Sequence, residues 1–440
     1  MTGFIMAAQL IAGLAILVTL HELGHFMAAR AFGIRVEKFY LFFDAWGFKF
    51  FSFKRGDTEY GIGWLPLGGY VKISGMIDES LDKEALKQPP QPWEFRSKPA
   101  WQRLIVMVAG VVMNVILGVA IYSMTLFHYN GHYLANKDVS DGIYAYELGQ
   151  KIGLQTGDRI VAIDGKPFER FEELLSGKVV LGSTLTVDRQ GKLLEIQVPD
   201  DFYREVTKLG PGNFLGTNRS SILIDTVVAG KPAASAGLKK GDQILALNGT
   251  RTFSEEKFMK MLKDNRNKPV SFSILRGKDS LMIQAVVSDS GTIGIRMTSF
   301  FGNYPLTDYT LASALHFGAS DALDAITTNI KGLKRIFVGK ENARDSLQGP
   351  IGIATFYGGV WNWHRFWVIT GLLSMVLAFM NILPIPALDG GHVVFLLIEA
   401  VTRKKFSDKF MERAQVAGMI ILLSLMAFAV GNDIWKHVLN

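Results

Sequence analysis

His21, Glu22 and His25 stand in the order His-Glu-Leu-Gly-His, two imidazoles four residues apart with a carboxylate between them. On an α-helix, positions i and i+4 share one face. Both rings can then reach a single metal ion while Glu22 acts on a water beside it. The motif falls late in an apolar stretch running roughly from Phe4 to Ala29, long enough for the about 20 residues that cross a bilayer. Ionisable side chains at that depth cost about 2.5–3.5 kcal/mol on insertion scales and usually serve a purpose there. A helix that stops near Leu20 and leaves residues 21–30 at the interface would explain the charges, but not their spacing. Hydrolytic zinc sites commonly use three protein ligands and keep a fourth position for water. The chain has no cysteine, so His, Asp or Glu must complete the set. Asp389 is the candidate: it sits in Pro384-Ile385-Pro386-Ala387-Leu388-Asp389-Gly390-Gly391, which interrupts another apolar stretch. It reads either as the third ligand or as an Asp opening a turn before glycine.

The elements that must position these residues are mostly membrane helices. Of 440 residues, 49% are hydrophobic, and mean hydropathy is positive. Long apolar runs lie at both ends of the chain, and the middle reads as soluble protein. Four spans are expected, near Phe4–Ala29, Leu104–Phe127, Phe366–Val401 and Val416–Val430, the third broken by its Pro-Gly run. Backbone irregularity at membrane depth is tolerated where protein or water surrounds it. The break therefore marks either a buried pocket or a helix end at the interface. The first stretch has no basic residue before Arg30 and reads as a permanent helix, not a cleavable leader. The net charge of +7 is spread along the chain without a basic-aromatic module, which points to the flanks of membrane helices and away from nucleic acid. Basic residues follow the first span (Arg30, Arg35, Lys38, Lys49, Lys54, Arg55), precede the second (Arg103) and lie between the third and fourth (Arg403, Lys404, Lys405, Lys409, Arg413). By the positive-inside rule these loops are cytoplasmic, and both termini and the long central segment lie on the far side.

Between the first two spans, Val36 to Ile73 is rich in aromatic and β-branched residues punctuated by Gly, Asp and Pro, the pattern of short strands and turns. The central segment repeats itself: Gly153-Leu154-Gln155-Thr156-Gly157-Asp158-Arg159-Ile160-Val161-Ala162-Ile163-Asp164-Gly165 is echoed by Gly237-Leu238-Lys239-Lys240-Gly241-Asp242-Gln243-Ile244-Leu245-Ala246-Leu247-Asn248-Gly249. The recurring turn signals resemble the PDZ domain, here in tandem; such domains take an extended peptide as an added strand, or serve as scaffolding or a steric barrier.

The full set is a polytopic α-helical membrane protein with a membrane-associated β-rich segment and two inserted PDZ-like domains. The expected divisions are a first helix over 1–35, the β-rich segment over 36–75 and a cytoplasmic linker over 76–103. The second helix covers 104–128, and the PDZ-like domains 129–215 and 216–300. A connecting helical segment (301–365), the broken third span (366–402) and the fourth span with the C-terminus (403–440) complete the chain.

His-Glu-Leu-Gly-His in the first span, Gly110-Val111-Val112-Met113-Asn114 in the second and Asn381-Ile382-Leu383-Pro384-Ile385-Pro386-Ala387-Leu388-Asp389-Gly390-Gly391 in the third resemble, in order, the signature set of the site-2 proteases. The resemblance covers essentially the whole chain. It implies an intramembrane zinc metalloendopeptidase in which His21, His25 and Asp389 bind Zn2+ and Glu22 is the general base. Asn381 matches an asparagine linked to substrate handling; Gly110 and Asn114 match the second-span motif, Gly110 as a site of close helix approach and Asn114 as a hydrogen-bonding group near the site. The β-rich segment would lie partly in the bilayer and pair with substrate, a single-span membrane protein such as an anti-sigma factor already cut once. The setting would be a bacterial inner membrane, with the PDZ-like domains periplasmic and the site toward the cytoplasm. Leu347-Gln348-Gly349-Pro350 departs slightly from the family's Leu-Ser-Gly-Pro, outside the catalytic set. Two rival readings are an inactive PDZ membrane scaffold and a metal transporter. The intact His21, Glu22, His25 and Asp389 oppose the first, and the lack of repeated polar positions in the spans opposes the second. His392 adjoins the third motif and reads as structural or as a support to the site. His128, His132, His316, His364 and His437 lie near span ends or in soluble segments.

Overall fold

A computed structural model describes residues 2–66, 68–76, 89–251, 255–300, 302–339, 342, 344 and 348–436. Part of the expected linker (77–88), Leu347 and His437 fall outside the described residues. The chain forms two compact units, one of residues 1–131 with 309–440, the other of 132–308.

In the first unit, α1 spans Thr2–Ala31 without interruption, so the helix does not stop at Leu20 and carries the whole His-Glu-Leu-Gly-His run. Its 30 residues extend about 45 Å, more than the about 30 Å of a hydrocarbon core. Gln9, Gly13, Leu17, Gly24 and His25 are its buried face. Four strands follow: β1 (Val36–Leu41), β2 (Lys49–Arg55), β3 (Thr58–Gly63) and β4 (Tyr70–Ile73). They pair in the order β2-β3-β1-β4, with β1 parallel to β3 and antiparallel to β4. Glu59 on β3 accepts from Lys49 on β2 at 2.6 Å and from Tyr40 on β1 at 2.7 Å. These bonds hold its carboxyl down at about 2, so it stays ionised well below the usual glutamate range.

Next comes α2 (Ala100–Thr125), extended by a wider turn over Leu126–Asn130. The unit resumes with α3 (Leu311–Phe337), α4 (Pro350–Tyr357), α5 (Trp363–Asn381), α6 (Asp389–Thr402) and α7 (Asp408–Ile434). The Pro-Gly run ends α5 and restarts the chain as α6, because proline cannot donate to a helix. Among the described residues, four helices are long and apolar enough to span a membrane: α1, α2 with its extension, α5 and α7 from Lys409. The third span was expected to be broken by this run and to resume to 402; the helix ends at Asn381 and the chain resumes as a helix over Asp389–Thr402. At the centre of the unit, α2 packs along α1, α3, α5 and α6.

The second unit has two hydrophobic cores. One is built around Leu154, Phe171, Leu185 and Phe214, under a sheet of Arg159–Ile163, Ser183–Arg189 and Lys192–Val198. The other is built around Ile222, Leu247, Phe258 and Phe272, under a larger sheet that ends in Ile295–Phe300. The sequence repeat reappears as repeated hydrogen bonding. Asp158 accepts two bonds of 2.7 Å from Arg189, and Asp242 two of 2.7 Å from Arg276. Each aspartate also takes the backbone N–H three residues earlier, at 2.8 Å. Each arginine reaches a Gly carbonyl as well, of Gly153 at 2.9 Å and Gly237 at 2.8 Å.

Candidate metal centre

The trio forms where two elements of the first unit meet. His21 and His25 lie one turn apart on α1, and Asp389 opens α6. Their Nε2 atoms are 3.2 Å apart. Asp389 Oδ2 lies 3.2 Å from His21 Nε2 and 3.3 Å from His25 Nε2. Ligand atoms about 2.0–2.1 Å from a tetrahedral zinc are about 3.3 Å apart, so the three atoms already outline one face of such a tetrahedron. Asp389 Oδ2 is buried and has no hydrogen-bond donor, a costly state for a carboxylate unless a cation completes it. Two neutral imidazoles and one carboxylate are a donor set that suits zinc.

Each ring is oriented from behind. His25 Nδ1 donates to the Val106 carbonyl at 2.8 Å, which leaves the Nε2 lone pair free to point at the centre. The amide nitrogen of Asn114, fully buried on α2, lies 3.2 Å from His21 Nδ1, and its Oδ1 is without a partner. Turning the amide over brings that oxygen onto Nδ1–H, the tautomer in which Nε2 binds a metal. Asn381, the last residue of α5, places its amide nitrogen 3.3 Å from His21 Nε2. Glu22 follows His21 directly and lies within electrostatic reach of His25. All six residues singled out in the sequence therefore gather at one place.

Several supports were not readable in sequence. Val106 acts through its backbone, which no side-chain pattern reveals. Gly24, inside the motif, sits against the Ala109 backbone; Gly110, expected from its motif to allow close helix approach, is where a Cβ would strike both the His25 and His21 rings. Arg103, read as a flanking charge, is buried and pairs with Glu399 of α6 at 2.5 Å, tying the helix that carries Asp389 to α2. Ala387 adopts φ 85°, a region L-residues rarely enter, in the turn that delivers Asp389 to the N-terminus of α6, where the helix dipole favours a carboxylate. His392, one turn further on, is buried and lines a cavity of about 110 Å3 with Arg103 and Glu399.

A membrane-helix bundle with a buried His-His-Asp centre and a carboxylate beside it defines a membrane metallopeptidase. The chain belongs to peptidase family M50, whose model matches residues 9–425. It is 29% identical to a provisionally named zinc metalloprotease of Xylella fastidiosa strain Temecula1, over 97% of each chain. It is 27% identical to protease RseP of Yersinia pestis and 28% identical to the regulator of sigma-E protease RseP of Salmonella typhimurium, again over 97% of each chain. It is thus an intramembrane zinc metalloprotease of the site-2 type.

Proposed function

We propose that this chain hydrolyses peptide bonds within or beside the transmembrane helix of a single-span substrate, with zinc held by His21, His25 and Asp389. The triangle of donor atoms at 3.2–3.3 Å, closed on a carboxylate oxygen that nothing else satisfies, carries the reading. When bound, zinc polarises the scissile carbonyl and lowers the pKa of water toward about 7. Glu22 takes the proton of the attacking water and delivers it to the leaving amine. Asn114 holds His21 in the required tautomer, and the Asn381 amide sits where it can donate to the peptide being cut. The test is cleavage of a model transmembrane substrate by the purified chain. A zinc chelator should abolish cleavage, and added zinc should restore it. Turnover that persists in metal-free protein would refute the reading.

A helical substrate hides its carbonyls in its own hydrogen bonds and must unwind locally before attack. The β-rich segment supplies a place to hold it. β4 is a terminal strand of the sheet and packs against α1, and its approach at Gly69 brings it against Val18, just before His21. An unwound segment added along β4 would lie beside the metal centre. In an antiparallel edge strand, successive N–H groups point alternately to the neighbour and away from it. Of the adjacent substitutions Tyr70→Pro and Val71→Pro, the outward-facing one should slow cleavage while zinc content stays at one per chain. Equal turnover in both variants and wild type would exclude strand addition here.

The two lobes of the second unit fit tandem PDZ-like domains over 129–215 and 216–300, a reading supported by the repeated Gly-Asp turns and their Arg clamps. The basic loops support a topology with these lobes and both termini in the periplasm of a bacterial inner-membrane protein, and the metal centre toward the cytoplasmic side. Placed between the second and third spans, the lobes would exclude substrates with bulky external domains. Such an arrangement suits a second cut on a trimmed anti-sigma factor or similar protein, in keeping with the name of the Salmonella relative. Removing residues 143–295 should allow cleavage of untrimmed substrate, and continued rejection would count against the filter.

A further inference from the structure

Near the C-terminal end of α1 the first unit carries a concavity that catalysis does not use. It has a volume of about 860 Å3 and is lined by Phe26, Met27, Arg30 and Ala31 of α1 and by Arg55, Gly56, Thr58 and Tyr60 of the β2–β3 hairpin. Its floor is aromatic: Phe26 packs edge-on against Phe39 at 5.5 Å and against Tyr60 at 6.0 Å, and Phe53 stacks on Tyr60 at 5.3 Å. Its rim is cationic. Arg35, close by, is neutralised by Asp57 at 2.7 Å. Arg30 and Arg55 are both exposed, and among the described residues neither makes an ion pair or a side-chain hydrogen bond.

Two unpaired guanidinium groups over an apolar floor call for an anion with an apolar body. Depth identifies which. Arg30 is the first basic residue after the apolar run of α1, so it stands where the hydrocarbon ends and the headgroups begin. Leading away from the rim, Met27 is 47% exposed and Phe51 and Phe53 are 58% and 51% exposed, a surface suited to acyl chains. Guanidinium forks match phosphate oxygens two at a time. We propose that this concavity binds an anionic phospholipid, its phosphate between Arg30 and Arg55 and its chains along Met27 and the outer face of β2. The bound headgroup bridges α1 to the hairpin and fixes the β-sheet against the helix that carries His21 and His25. Basic pockets between membrane elements on the cytoplasmic side have the chemistry for such headgroups.

The test is lipid retention by the full chain, read by native mass spectrometry after reconstitution in phosphatidylcholine bilayers with or without phosphatidylglycerol. Wild type should retain phosphatidylglycerol in preference to phosphatidylcholine. Each basic residue at an anionic surface contributes about five-fold, so Arg30→Gln with Arg55→Gln should reduce retention by roughly 25-fold. Lys54→Gln removes a neighbouring charge that does not line the concavity and should lose no more than the about five-fold of a surface charge. The proposal is overturned if the double variant retains as much lipid as wild type, or if Lys54→Gln loses as much as the double variant. It is also overturned if inorganic phosphate alone displaces the lipid at equal concentration, which would mark a free-phosphate site. Lipid retention is independent of chemistry at the metal centre, so Glu22→Gln should bind phosphatidylglycerol as wild type does.

Discussion

Glu22→Gln should keep one zinc per chain and lose cleavage of a transmembrane substrate by at least about 10²-fold, the lower end of what a positioned general base contributes. The substitution is nearly isosteric and leaves both rings, the Val106 carbonyl bond and the Asp389 carboxylate in place. Only the capacity to accept a proton is removed. Metal content and turnover must therefore separate. Zinc bound with wild-type turnover would show that another group takes the proton. Zinc lost together with activity would show that Glu22 belongs to the metal's own coordination.

Gly110→Ala should act on the metal instead, weakening zinc binding while sparing the fold. A methyl group there meets His25 Nε2 and His21 Cε1, the parts of the rings that face the metal. The rings cannot simply rotate away, because His25 is held from Val106, one turn before Gly110 on α2, and His21 meets Asn114 one turn after it. The helix cannot easily recede either, since Gly24 already rests on the Ala109 backbone. Zinc affinity should fall by roughly 100-fold, the upper range for disturbing groups that orient metal ligands. Helical content and elution volume should be unchanged. Gly118→Ala on the same helix is the control: its methyl meets the flexible Met375 side chain, which can shift. Wild-type zinc affinity in Gly110→Ala would mean that α1 and α2 are not clasped at this point.

Much of the fold was open to inspection in the sequence because membrane helices declare themselves locally. A span is a run of apolar residues, and its break at Pro384 and Pro386 follows from proline's missing donor. The strands of 36–73 were likewise readable from aromatic and β-branched content and turn residues. Their order was not. A parallel β1–β3 pair flanked by antiparallel neighbours depends on contacts between distant residues, and local composition is blind to which strand sits beside which. Arg103 shows the same limit. A basic residue before a span reads as a flanking charge by composition, yet burial and Glu399, 296 residues away, make it a tether.

The chemistry was written in residue order: the kinds of donor, the i, i+4 pair that one helical turn brings together, and the broken span that offers a carboxylate. Those follow from local geometry and from the cost of placing ionisable groups in an apolar helix. Packing settled the rest: Asp389 lies 3.2–3.3 Å from both imidazoles, the Val106 carbonyl fixes a tautomer, and Gly24 rests on the backbone of α2 opposite the close approach already expected at Gly110. Separation along the chain carries no record of distances across it; helix packing sets them.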